Sequence, residues 1–261
     1  MQMKKSYLLF IFIFLGIACF GSLSLITDVS GKKLLTTETK DTVTKIALAI
    51  KENNAPNSTP KKDWVKTKSE AIQPQAQNLN PVVLKAGLTA YQNAREKGLD
   101  DKKLLTIVDY SKPSNERRLW VIDMNNSKVL FNTWVAHGKN SGLVRSTSFS
   151  NHASSLKSSL GVFLTSETYS GHNGYSLRMK GLEHGVNDNA YDRAVVFHGA
   201  NNVSPQIAKS GRVGRSWGCL AVSRQVAKPL INKIKNDTIV IAYYPDQHWL
   251  QSSKFLKSSL V

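Results

Sequence analysis

Leu105-Thr-Ile-Val-Asp-Tyr110, Arg118-Leu-Trp-Val-Ile-Asp123 and Lys128-Val-Leu-Phe-Asn-Thr-Trp-Val-Ala136 read as three short strands in succession. β-Branched and aromatic side chains dominate each run, and these pack well on a pleated, half-buried surface. Asn125-Asn126 supplies a hairpin turn between the second and third. The same character returns in Gly161-Val-Phe-Leu-Thr165, Tyr175-Ser-Leu-Arg-Met179, Ala194 to Phe197 and Thr238-Ile-Val-Ile-Ala-Tyr-Tyr244. Many short strands with few helical stretches predict a mainly β domain, a sandwich or barrel with a few peripheral helices.

Helices are predicted at its edges. Val83, Leu84, Leu88 and Tyr91 recur at helical spacing between Pro81 and Gly98. Val226, Leu230, Ile231 and Ile234 form an apolar stripe behind the N-cap residue Ser223. That start would place Cys219 just ahead of a helix whose dipole favours a thiolate. Residues 28–80 are rich in Lys, Thr, Asn, Ser, Pro and Gln and read as a flexible linker, with one short helix at Thr42 to Lys51. The expected partition is a targeting segment at 1–27, the linker at 28–80, a catalytic domain at 81–250 whose first element is helical over 81–103, and a tail at 251–261.

Lys4 and Lys5 precede an uncharged run from Ser6 to Thr27, as in a secretory signal or membrane anchor. Small residues near Ala18 and Gly21 suit cleavage, and the length suits an uncut span equally. Lipidation at Cys19 is disfavoured by Gly16. Each fate places the rest of the chain outside the cytoplasm, in the cell envelope. The formal net charge of +17 would ordinarily raise nucleic-acid binding. An exported chain meets anionic polymers and lipids instead, so no nucleic-acid partner is expected. Arg193 to Asn236 holds eight Lys or Arg and no Asp or Glu. Part of this is a solvated helix face, but Arg193, Arg212 and Arg215 lie close in sequence to the residues that carry chemistry.

Those residues are in Ala194-Val-Val-Phe-His198-Gly199-Ala200 and Gly214-Arg-Ser-Trp-Gly-Cys-Leu220. An apolar strand delivers a histidine, and a glycine turn presents a cysteine. A single cysteine is ordinarily a small buried hydrophobe. Paired with a base, it is a nucleophile whose proton has somewhere to go. Gly199 would leave room beside the imidazole. Gly218 removes a side chain before Cys219, so N–H groups near Trp217, Gly218 and Cys219 are candidate oxyanion donors, with Ser216 orienting the loop. His137-Gly138 is a rival histidine-glycine pair, read as supporting the site or binding substrate. Asn187, Tyr191 and Arg193 form a polar rim leading into the catalytic strand. The remaining histidines match no metal-ligand spacing.

His198-Gly199 followed by Ser216-Trp217-Gly218-Cys219 resembles the His-Gly … Ser-x-Gly-Cys signature of the YkuD-type L,D-transpeptidases. Phe149-Ser-Asn151, Ser158-Ser-Leu-Gly161, Gly174-Tyr-Ser-Leu-Arg178, Gly181-Leu-Glu183 and Asn187-Asp-Asn-Ala190 resemble the murein branch. The resemblance covers about Pro81 to Tyr244 and implies a YkuD-like β fold. It also implies a Cys219 acyl-enzyme formed on a peptidoglycan tetrapeptide stem with release of D-Ala, His198 as base, and 3-3 cross-links as product. It implies no metal or organic cofactor, and acylation by carbapenems. Many relatives carry an arginine two residues beyond the cysteine, where this chain has Ala221; Arg193, Arg215 and Arg224 are candidates to take over a carboxylate contact. An L,D-carboxypeptidase with the same acyl-enzyme and a non-catalytic wall-binding protein remain as alternatives.

Overall fold

The computed structural model describes residues 61–257, within a compact unit spanning Ser58–Val261. The targeting run, the linker up to residue 60 with its short helix at Thr42 to Lys51, and the last four residues lie outside the described residues. Of the stretch expected to be linker, 61–80 departs from that reading. Helix α1 spans Lys61–Ile72, and Val65, Ile72, Ala76 and Leu79 are buried. Its solvent side carries the Lys, Thr, Ser and Glu that made it read as linker. Helix α2 spans Pro81–Glu96 and starts as its sequence dictates: Asn80 accepts from the Val82 N–H at 2.8 Å, with proline following at the first helical position.

Eight strands follow: β1 Leu104–Asp109, β2 Leu119–Asp123, β3 Lys128–Thr133, β4 Gly161–Gly171, β5 Gly174–Gly181, β6 Val196–Ala200, β7 Leu220–Ser223 and β8 Ile239–Tyr243. Helix α3 (Pro205–Lys209) lies between β6 and β7, α4 (Arg224–Ile234) follows β7, and α5 (Gln247–Ser252) follows β8. The sheet order is β3-β2-β1-β8-β4-β5-β6-β7, with the β1/β8 and β6/β7 pairs parallel. Beyond β3 the chain runs on beside β7, where Ala136 N–H donates to Ala221 O at 2.8 Å and Gly138 bridges Ser216. The two edges thereby meet, and the sheet is a nearly closed mixed barrel.

Every residue of β1 and β8 is buried, as expected of central strands covered on both faces. Helix α2 lies against them at Gly87, where a Cβ would come within 2.7 Å of Ile107 Cδ1. Strand β7, absent from the sequence reading, separates Cys219 from α4. The helix dipole therefore does not act on the thiol at first-turn range. Ser223 does stand at the N-cap of α4, but its side chain accepts no capping hydrogen bond. The C-terminal stretch read as a tail is docked: Ser253 and Phe255 are buried, and Asn93 Nδ2 donates to the carbonyls of Phe255 and Lys257 at 2.8 and 3.0 Å.

Candidate active site

Strands β6 and β7 set His198 opposite Ala221 and Phe197 opposite Leu220. Side chains alternate along a strand. Phe197, Leu220 and Val222 accordingly enter the main core, whereas Ala221 joins a smaller cluster with Ala136, Val203, Ala208 and Val213. His198 shares the Ala221 face, and Cys219, two residues before Ala221, continues it. The Cys219 thiol points at the Ala194 carbonyl, 3.5 Å away, and its sulfur accepts from the Val196 N–H. Ala194 has φ +52°, a conformation rare for a non-glycine residue.

The imidazole of His198 is only 7% exposed. Its Nδ1 lies 3.0 Å from Gly199 O. A carbonyl only accepts, so Nδ1 carries the hydrogen and Nε2 is left with a lone pair. Burial holds the imidazole below its ordinary pKa, the Gly199 contact opposes that, and Arg224 adds to it. Burial pushes the Cys219 thiol up, against the pull of the Val196 N–H and the Arg193 charge. Both shifts leave the thiol and the imidazole uncharged at neutral pH. Gly199 serves the barrel rather than the imidazole, because a Cβ there would sit 3.1 Å from Ala227 Cβ and 3.2 Å from Arg224 Cα of α4.

Ser216 closes the nucleophile turn on itself. Its Oγ donates to Cys219 O at 2.7 Å and accepts from Gly218 N–H at 3.1 Å. The Gly218 N–H is thus already engaged, which narrows the candidate oxyanion donors to Trp217 and Cys219. Gly218 has φ +122°, and a Cβ there would lie 2.8 Å from Lys157 O. Trp217 stands 75% exposed beside the thiol, with Lys139 Nζ 5.9 Å from its ring centroid.

Arg193 grips the loop that Gly218 approaches. Nη1 donates to Ser150 O at 2.6 Å and to Ser159 Oγ, while Nη2 donates to Ser155 Oγ at 3.1 Å and Lys157 O at 2.8 Å. The expected substrate-carboxylate role gives way to a clamp that also projects positive charge at the sulfur. Arg215 is exposed and ties Lys139 O at 2.8 Å and Gly142 O at 3.3 Å.

Two of the expected substrate-binding residues are interior. Asn187 is fully buried, its Nδ2 donating to Leu160 O and Val162 O and its Oδ1 accepting from Glu183 N–H. It locks β4 to the 183–187 turn and is closed to substrate. His137 is also fully buried, with Nδ1 2.8 Å from Arg118 Nη2 and Nε2 3.3 Å from Gly142 O. Both ring nitrogens are engaged, so it neither meets substrate nor rivals His198 as base. Tyr191 is on the surface, its hydroxyl donating to Glu167 Oε1 at 2.8 Å, and its carbonyl accepts from Ala194 N–H. It shapes the turn that carries the thiol's acceptor.

Sequence reasoning missed Arg118, a charge at the head of an otherwise apolar strand, and Ala194, whose backbone carbonyl no residue-type pattern reveals. Among the described residues, no group of three or more His, Cys, Asp or Glu side chains is arranged to hold a metal ion.

Among solved structures, an L,D-transpeptidase from Mycobacterium smegmatis aligns at 15% identity and TM-score 0.34, over 54% of this chain and 59% of that one. An Enterococcus faecium L,D-transpeptidase aligns at 16% and 0.31, over 56% and 50%. One from Xylanimonas cellulosilytica aligns at 12% and 0.30, over 61% and 80%. The chain spans about three fifths of the length of the first of these. No curated protein matches. A family model described as the L,D-transpeptidase catalytic domain matches residues 75–243, which takes in β1 to β8, His198 and the turn from Gly214 to Leu220, and the chain belongs to that family.

Proposed function

We propose that this protein is a peptidoglycan L,D-transpeptidase that forms 3-3 cross-links through a Cys219 acyl-enzyme. The observation that supports the reading is an imidazole on the face of the β6–β7 pair that Cys219 continues, with its Nδ1 anchored on Gly199 O, leaving Nε2 to accept a proton. Cys219 Sγ adds to the carbonyl of the L-centre of diaminopimelate in a tetrapeptide stem as its proton passes to His198. The tetrahedral oxyanion sits at the Trp217 and Cys219 N–H groups. The carbonyl re-forms, the C–N bond to D-Ala breaks, and the amine leaves with the proton from His198. An acceptor amine then attacks the thioester, giving its proton to His198, and the thiolate departs.

Water as acceptor would make the same centre an L,D-carboxypeptidase. A location in the cell envelope, with the N-terminal run as signal or anchor, belongs to this reading, as does acylation of Cys219 by carbapenems.

Mass spectrometry of the protein incubated with a disaccharide-tetrapeptide, and separately with a carbapenem, tests it. A Cys219 adduct with dimeric product is expected. Tripeptide without dimer would assign the carboxypeptidase, and turnover retained in Cys219→Ala would overturn the nucleophile.

A further inference from the structure

A fully buried guanidinium contacts His137, whose main chain pairs with Ser216 of the turn before Cys219. Arg118, immediately before β2, is 0% exposed. Its Nε and Nη2 donate to Val135 O at 3.1 and 2.9 Å and its Nη1 to Lys112 O at 2.9 Å. The Tyr110 ring centroid lies 5.2 Å away. These hydrogen-bond acceptors are carbonyls and one ring nitrogen, with no carboxylate in the set; Tyr110 and Asp109 act on the charge through space. Burial lowers its pKa only to about 10, so it stays charged at neutral pH. Desolvating a guanidinium is among the costlier things a fold does, and a well-packed apolar residue is often the more stable choice.

What the charge does is visible one bond further on. Guanidinium groups only donate, so the 2.8 Å contact with His137 Nδ1 makes that nitrogen the acceptor and places the ring hydrogen on Nε2. Nε2 then donates to Gly142 O at 3.3 Å, an oxygen shared with Arg215 Nη1. The same turn is closed by Ser141 N–H on Gly138 O at 2.8 Å. His137 holds the nucleophile turn through its main chain as well: Ser216 N–H donates to His137 O at 2.9 Å, and Lys139 N–H to Ser216 O at 2.8 Å. Ser216 in turn carries Cys219 O and Gly218 N–H.

We propose that Arg118 and His137 are positioning residues for Cys219: the buried guanidinium fixes one neutral tautomer of His137, and that ring braces the Gly138–Gly142 turn on which Ser216 and the nucleophile are registered. The inference rests on the reading of Cys219 as the nucleophile. A protonated His137 would present a second donor to Arg118 and would face Arg212 and Arg215 as well. These three cations act on the ring, and its acceptor is the Gly142 carbonyl. Burial and these charges hold its pKa at about 4, so the brace is intact at neutral pH and fails on acidification through that value.

The test compares His137→Gln with His137→Leu in the full chain. Glutamine keeps one acceptor and one donor and does not titrate; leucine keeps neither. The maximal rate of Cys219 acylation by a carbapenem is expected to fall at least about tenfold in His137→Leu with the half-saturating concentration changed less than about twofold, as for a displaced rather than a missing contact. His137→Gln is expected to stay within about threefold of the wild type at neutral pH, and below about pH 4 hydrogen exchange over residues 214–220 is expected to be faster in the wild type than in His137→Gln, a difference that protonation of His198, common to both, does not produce. Equal rates in the two variants, or exchange over 214–220 that rises equally in the wild type and His137→Gln on acidification, would overturn the proposal. Should His137→Leu not fold, the acid dependence of that exchange in the wild type against His137→Gln decides alone. Should the wild type not be acylated, the reading of the active site fails separately. Hydrogen exchange over residues 214–220 then decides the bracing: faster in His137→Leu but not in His137→Gln supports it, and no change in either overturns it.

Discussion

Gly218→Ala probes whether the turn before the nucleophile is built or incidental. At φ +122° an L-residue is strained, by about 1–3 kcal/mol. The added Cβ also lies 2.8 Å from Lys157 O, roughly half an ångström inside ordinary contact. That carbonyl cannot simply retreat, because Arg193 Nη2 holds it at 2.8 Å and three further contacts hold the same guanidinium. Either the Arg193 clamp loosens or the Ser216–Cys219 turn moves and carries the sulfur away from Val196 N–H and the His198 ring. A shift of this order at a reacting atom costs about ten- to a hundredfold in rate. Melting should drop by roughly 3–10 °C for a domain of this size. The control is Gly185→Ala, which has φ +75° and open space around its Cβ position. It shares the backbone penalty and lacks the collision, so it should lose stability and keep its acylation rate. Stopped-flow acylation and thermal melts measure both variants. A Gly218→Ala enzyme as fast as Gly185→Ala would refute the claim that this glycine sets the thiol's position.

Acid should weaken the fold through His137. Its pKa is about 4 in the fold against an ordinary value near 6.5, so between those values the unfolded chain binds a proton that the native state refuses. Stability is full above about pH 6.5 and falls by about 3 kcal/mol on descent through pH 4, and urea midpoints of His137→Gln should be flatter over that range. Asn187→Ala strands Leu160 O, Val162 O and Glu183 N–H in the interior. A loss of about 3–5 kcal/mol is expected, seen as a failure to fold or a large fall in denaturation midpoint. Arg193→Gln removes the positive charge acting on Cys219, so the pH profile of thiol alkylation should move upward; a profile unchanged or moved downward would show that the charge does not reach the sulfur.

Strands with a dense apolar and β-branched signal were legible to within a residue or two, β1, β2 and β8 above all, because burial on both faces leaves little room for other residue types. Strand β7 was not, since four residues give no period to read. Helix α1 was hidden by its polar outer face. The family itself was legible from the His198-Gly199 and Ser216-to-Cys219 motif, which the matching family model spans. The burial of Asn187 and His137 was not, because an asparagine in a turn and a histidine at a strand end look alike whether they face water or the interior. Only the partners distinguish them: carbonyls of β4 for one, a buried guanidinium for the other. Arg118 carried the one usable signal, a charge opening the run Leu119-Trp-Val-Ile122.

The neutral resting pair and the Arg193 charge together bear on when the nucleophile becomes active. In the unliganded site, burial keeps the thiol protonated and the imidazole neutral, so neither carries a charge that must be solvated. A substrate covering Cys219 excludes water that screens Arg193, and a Coulomb interaction grows as the surrounding dielectric falls. On the proposed mechanism, the thiolate then gains from Arg193 and Val196 N–H as the imidazolium forms on His198, whose Nδ1–H stays anchored on Gly199 O. Charge separation is thus coupled to occupancy of the site. Alkylation by a small neutral reagent, which covers nothing, should accordingly be slow at neutral pH and accelerate only as the thiol ionises in bulk, whereas acylation by a substrate-sized ligand should proceed well below that pH. Coincident pH profiles for the two reagents would mean that the sulfur is activated before anything binds.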